Sequence, residues 1–196
     1  MADILTVLAP LVDRINKTMA DLISRDEEIV ARISGYSFEG GGKRLRPGML
    51  CLVTEALASS LSDERLAVGT SFEFLHMATL LHDDIVDLSE LRRGRAAAHL
   101  VFGVPEVVLA GDYLLSKAAS IGAETDNIQC VRTMAGVVAT LSLGELVQLS
   151  SRRQVHLPEE EYFKIIFRKT AVLMEGATRT AAILAGADEG LKAAAR

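Results

Sequence analysis

The sequence predicts an all-α domain, and three observations carry that prediction. Apolar residues recur at i, i+3 and i+4 along almost the whole chain, and no segment between turns alternates as a half-buried strand would. The composition, 49% hydrophobic but only 5% aromatic, with no Trp and 4 Pro, suits packed Leu, Ala and Val helices better than a β-sandwich. Finally, the interruptions of the pattern coincide with residues that start or stop helices. The 196 residues suffice for one domain with a sizeable core, so residues 1–196 are read as a single unit.

The first helix is expected over Ala2–Ala20, bent at Pro10, and the second over Arg25–Ser34, ended by Gly35. Gly40, Gly41 and Gly42 then open a loop, EGGGKRLRPGM. Pro47 suits the first turn of a third helix, Pro47–Ala58, because its missing N–H is one that no helix start can pair. Ser62 followed by Asp63 and Glu64 reads as an N-cap with an acidic first turn, opening a helix that reaches Asp87. Leu88–Ala98, polar and basic around Gly94, reads as an ordered loop leading into a short helix. Pro105 starts a helix through Ile121, and Thr125 or Asp126 caps a long one reaching Ser151. Pro158 with Glu159, Glu160 and Glu161 opens the last clear helix, which Gly186 interrupts. The closing GLKAAAR lacks a capping glycine and reads as cut within a helix.

A net charge of −5 and a pI near 5.4 argue against broad affinity for nucleic acid or an anionic membrane surface, so any anion site must be local. The longest stretch free of Asp, Glu, Lys and Arg, Thr133–Gly144, is far shorter than the ~20 residues of a membrane-spanning helix. No transmembrane segment is expected, and the acidic N-terminus reads as mature protein. Cys51 and Cys130 lie in apolar helical patterns without metal-ligand spacing, which implies buried free thiols and a cytoplasmic location.

The chemistry concentrates in FEFLHMATLLHDDIVD. Asp83 and Asp87, one turn apart, share a helix face at about 5–6 Å between Cβ atoms, and Asp84 adjoins them. Like charges at the end of an apolar helix repel unless a cation relieves them. Magnesium, held by one or two carboxylates plus water and phosphate oxygens, fits this spacing, and a diphosphate is its natural partner. The bland alternative is a solvated helix end paired with arginines. Arg92, Arg93 and Arg95 around Gly94 supply planar forks suited to phosphate oxygens, and Gly41-Gly42-Lys43-Arg44-Leu45-Arg46 gives a second cationic group at a helix start. Two basic loops imply two anionic ligands. Taken alone, His76 and His82 read as core histidines.

The motifs GGKRLRP, FEFLHMATLLHDDIVD with LRRG, LAGDYLLSKA, GELVQL and RKTAVLMEGA, in this order, resemble the trans-isoprenyl diphosphate synthases, or polyprenyl synthetases, across about residues 35–185. The resemblance implies an isoprenoid synthase-type bundle of antiparallel helices around a central cavity, in a homodimer. It implies that Lys43, Arg46, His76 and Arg93 hold the diphosphate of isopentenyl diphosphate. Asp83, Asp84 and Asp87 would bind Mg2+ bridging to an allylic diphosphate, farnesyl or geranyl, which Arg92, Lys169 and Thr170 also contact; Gln148 and Asp112 are further candidates. The three aspartates and Lys169 would carry catalysis. Ala78 and Thr79, five and four residues before Asp83, stand where short-chain members carry aromatic blocks, so their small size implies a long product of the kind found on quinones, with Leu75 and Phe72 as a floor. A second aspartate-rich motif of the family does not occur before Arg196, so the bundle is expected to lack its C-terminal helices. That leaves a diphosphate-binding or interaction subunit without turnover as the alternative. A terpene cyclase would leave Lys43, Arg46 and His76 no second diphosphate to hold.

Overall fold

A computed structural model describes residues 3–39, 41–58, 60–152 and 156–195; Ala2 and Gly40, both used above, lie outside the described residues. The order of elements is α1 (Ile4–Ile23), α2 (Glu28–Glu39), α3 (Leu45–Ala58), α4 (Asp63–Val86), β1 (Leu91–Arg92), β2 (Arg95–Ala96), α5 (Ala98–Phe102), α6 (Val104–Ala123), α7 (Ile128–Ser151), α8 (Glu159–Ile166), a π-helical turn (Phe167–Ala171), α9 (Val172–Leu184) and α10 (Glu189–Ala194).

Helix α4 is the axis of the bundle and packs against α1, α3, α5, α6 and α9. Ser62 caps it as expected, its side chain accepting the Arg65 backbone N–H at 3.3 Å. Phe72, Phe74, Leu75 and Ala78 are fully buried on different sides of it, which is why no polar stripe runs along its middle. In contrast, α1 buries a single stripe among its described side chains, Leu8, Leu11, Ile15, Met19 and Ile23. Both cysteines are buried free thiols, and burial pushes that of Cys51 up to about 12.

Several boundaries differ from the expectation. Gly35 does not end α2: Tyr36 packs edge-on against Phe102 and Phe38 against Phe74, and this packing outweighs the roughly 1 kcal/mol helix cost of glycine. Helix α3 starts two residues before Pro47, which sits in its first turn. Asn127, not Thr125 or Asp126, caps α7; Thr125 Oγ accepts the Asn127 N–H at 3.2 Å and closes the preceding turn instead. The loop after α4 contains a two-residue-per-strand hairpin, pairing Leu91 with Ala96 and Arg92 with Arg95. Arg93 and Gly94 turn it at φ +52° and +79°, both in the left-handed region, as a primed hairpin turn requires. Gly186 does stop α9, at φ +70°, with the Ala187 N–H closing on the Ala182 carbonyl at 3.0 Å. The membrane expectation needs one correction. Helix α7 is long and apolar enough to cross a membrane by length and composition, because such a span tolerates a few charges and need not be charge-free. Here it packs against α6 and α9 within the bundle.

Candidate functional site

The glycine loop and α4 form an open cleft of about 610 Å³ lined by Lys43, Arg46, Glu73, His76 and Arg93. The four residues assigned above to one diphosphate thus meet in one place, although they come from a loop, a helix start, the middle of α4 and the hairpin tip. Burial and the positive charge of Arg46 and Arg93 pull the His76 imidazole down to about 3, so it stays neutral at every physiological pH. Burial and Arg93 also lower Arg46, against an opposing pull from Glu73. The Nε of Arg46 is buried without a hydrogen-bond partner among the described residues, a donor that an anion in the cleft would satisfy.

The three aspartates part company two turns further along α4. Position i+1 on a helix points about 100° away from i, so Asp84 leaves the face that Asp83 and Asp87 share. It is buried, and both its oxygens accept from Arg92, whose Nε lies 3.0 Å from each; Arg92 Nη2 closes on the same carboxylate. Asp84 therefore stands off the face of Asp83 and Asp87, and Arg92 is engaged on the protein itself. Asp87 pairs with Arg152 at the end of α7. Asp83 has no direct cationic partner among the described residues. Burial, then Glu145, push its carboxyl up to about 6 against the opposing charge of Lys169, and Asp87 adds to the rise.

Lys169 and Thr170 both lie in the π-helical turn, a feature frequent at functional sites. Gly144 of α7 explains how that turn comes close: a Cβ there would sit 2.8 Å from Arg168 Cβ and 3.2 Å from its carbonyl carbon. The approach sets Lys169 Nζ 2.6 Å from Glu145 Oε1. Glu145 and Arg152 were not singled out from the sequence, although Glu145 lies one turn before Gln148 and directly follows the glycine of GELVQL.

The remaining expected residues are more scattered. Gln148 is half-buried, on the turn of α7 that follows Glu145. Asp112 is exposed on α6, 3.6 Å from His82 Nε2; His82 packs on Gly111 and approaches the Val108 carbonyl at 3.1 Å, a packing role. Ala78 is fully buried in the core, and Thr79 turns its hydroxyl back to the His76 carbonyl at 2.8 Å. Neither lines the basic cleft. Phe72 and Leu75 are buried, with Phe72 against Gly176 of α9.

These donors fit magnesium in one respect and leave it incomplete in another. Asp83 and Asp87 offer hard carboxylate oxygens one turn apart, and burial with Glu145 makes the charged form of Asp83 costly without a cation. Among the described residues, no three carboxylate, histidine or cysteine side chains converge into a metal cage. Such an open half-shell suits an ion that keeps waters and takes phosphate oxygens.

Comparison with solved structures gives the fold its class. The polyprenyl synthase of Caulobacter crescentus, complexed with calcium and isoprenyl diphosphate, superposes with a TM-score of 0.89 at 35% identity, over 98% of this chain and 59% of that one. The bundle is thus the helical fold of the isoprenoid synthases. Octaprenyl diphosphate synthase of Haemophilus influenzae is 35% identical over 180 residues, 92% of this chain and 54% of that enzyme. The short chain isoprenyl diphosphate synthase of Methanothermobacter thermautotrophicus is 33% identical over 94% of this chain and 57% of its own. The family model of the polyprenyl synthetases matches residues 27–196, and the chain belongs to that family. It spans little more than half the length of these relatives.

Proposed function

We propose that this chain supplies the diphosphate-binding half of a prenyl-transfer site, which extends an allylic diphosphate by condensation with isopentenyl diphosphate. The carrying observation is that Lys43, Arg46, His76 and Arg93 share one cleft, two helical turns along α4 from the paired carboxylates Asp83 and Asp87. That separation, about 10 Å along the axis, suits two diphosphates lying side by side. The basic cleft holds isopentenyl diphosphate by charge and hydrogen bonds, with His76 adding a hydrogen bond. Asp83 and Asp87 hold magnesium, which when bound offsets the negative charge that grows on a departing diphosphate. Lys169 and Thr170, on the π turn, face the same departing group, and Gln148 of α7 is a further contact to it.

The chemistry needs no side-chain nucleophile. The allylic C–O bond breaks, the electron pair leaves with the diphosphate, and the double bond of isopentenyl diphosphate closes on the allylic carbon. A proton then departs to restore the double bond, and the released diphosphate is its acceptor. Small side chains at Ala78 and Thr79, and relatives such as the Haemophilus octaprenyl synthase, support a long product. Leu109 of α6 and Leu143 and Leu146 of α7 stay exposed and suit a second copy of the chain. The two buried thiols suit a reducing cytoplasm.

Incubation with labelled isopentenyl diphosphate, farnesyl diphosphate and magnesium, with sizing of extracted products, tests the proposal. A magnesium-dependent ladder is expected from the intact site, and Asp83→Ala should lower it by about 10²–10³-fold. Magnesium-dependent diphosphate binding without product would instead favour the non-catalytic binding subunit. No diphosphate binding at all would sink both.

A further inference from the structure

Arg44 stands apart from the cations of its own loop. Its side chain is only 7% exposed and lies at the back of the cleft, where Nε donates to Asn16 Oδ1 of α1 at 2.8 Å and Nη1 to Glu73 Oε1 of α4 at 3.0 Å. Its backbone takes φ +48°, a conformation that non-glycine residues adopt only when the surroundings hold them there. Gly42 is constrained by the same group, since a Cβ there would lie 2.9 Å from Arg44 Nη1. Glu73 is as buried as its partner and keeps Oε2 unpaired beside a cleft whose Arg46 Nε is unpaired too.

We propose that Arg44 and Glu73 are positioning residues: their buried pair pins the glycine loop to α4 and α1, so that Lys43 and Arg46 on either side project into the cleft in a fixed geometry. The inference rests on reading that cleft as a diphosphate site. It explains why one cation of the loop is buried and neutralised while its neighbours are not. Four unpaired cations, Lys43, Arg44, Arg46 and Arg93, would repel one another in so small a volume. Glu73, reaching up from α4, removes one of them from the sum and uses it as a fastening.

The double variant Arg44→Met with Glu73→Met tests this, because it removes one charge of each sign and leaves the net charge of the cleft unchanged. Replacing a buried ion pair by apolar side chains of similar volume is commonly neutral for stability, so Tm should hold. Affinity for inorganic pyrophosphate and for isopentenyl diphosphate, measured by calorimetry, should fall about tenfold or more as the loop loses its hold. Unchanged affinity at unchanged Tm would overturn the proposal. Should the double variant not fold, Asn16→Leu removes only the Nε contact and keeps the pair; a severalfold weaker pyrophosphate affinity is expected, and an unaltered one overturns the idea. A parent protein that binds neither probe would refute the diphosphate reading itself, separately from the role of Arg44.

Discussion

The basic cleft at His76 and the acidic face at Asp83 lie two turns apart on one helix, and they handle crowded charge in different ways. In the cleft the compensation is internal and rigid: Arg44 is matched by Glu73 with both side chains more than nine-tenths buried, and His76 is held neutral. On the acidic face the compensation comes from a long, partly exposed side chain, Arg152 on Asp87 at 43% exposure, while Arg92, at 40%, holds the buried Asp84 that turns away from that face. Asp83 is left over. The first arrangement readies a surface for an anion without further change, whereas the second holds carboxylates with cations that another cation can displace. A binding surface that must stay formed uses buried partners; one that must exchange its counter-ion uses solvated ones.

Three measurements sharpen or break this contrast. The largest effect is expected at Asp84. Asp84→Ala leaves the Arg92 guanidinium unpaired and should cost roughly 2–3 kcal/mol in urea unfolding, less than a fully buried pair because Arg92 is partly solvated. Asp83→Ala should cost little or even stabilise the metal-free protein; equal losses at both positions would erase the distinction between them. Next in size is Gly144→Ala, which places a methyl group against Arg168 at the π turn. A destabilisation of about 1–3 kcal/mol is expected, together with weaker binding of an allylic diphosphate, since Lys169 moves with the turn.

The smallest effect is in the pH dependence, where the two regions carry opposite signs. The folded protein keeps His76 neutral down to about 3, while the unfolded chain takes up a proton near 6.5, so this residue costs stability as pH falls through that window. Asp83 does the reverse: folded, it retains its proton up to about 6, against 3.8 for the free side chain, so stability rises as pH falls from 6 toward 4. Denaturant midpoints of His76→Gln and Asp83→Asn at pH 4, 5 and 7, without metal, separate the two. His76→Gln should lessen the acid loss, and Asp83→Asn should gain over the parent at pH 7 but not near pH 4. Magnesium should shrink that gain.

Much of this architecture was legible because its signals are local. Ser62 before Asp63 and Glu64 fixes the start of α4 by hydrogen bonding within one turn, and Gly186 closes α9 in the same way. The convergence of Lys43, Arg46, His76 and Arg93 followed from the motifs rather than from spacing, since nothing in the sequence alone says that residues 43 and 93 meet. What escaped was set by tertiary contact or by very short elements. Gly35 reads as a stop until Tyr36 and Phe38 find their aromatic partners. Strands of two residues cannot display alternation. Asp84 was grouped with its neighbours because a motif is written as a line, whereas a helix turns its second aspartate away. Glu145 and Arg152 gained their places only once the π turn packed on α7 and the end of α7 reached Asp87.

The π turn at Phe167–Ala171 has one more consequence. It adds a residue to a single turn between α8 and α9, so everything after Ala171 is rotated by about 100° relative to a continuous helix. The segment from Glu159 to Leu184 is thus two wheels mounted on one axle out of phase. A substitution scan plotted on a single wheel would blur the exposed Phe163 and Ile166 with the buried Leu173 and Ala177. Deleting one residue of the turn would remove that surplus, so the segment could close as one continuous helix with both faces kept, at the cost of the wide turn that carries Lys169 and Thr170.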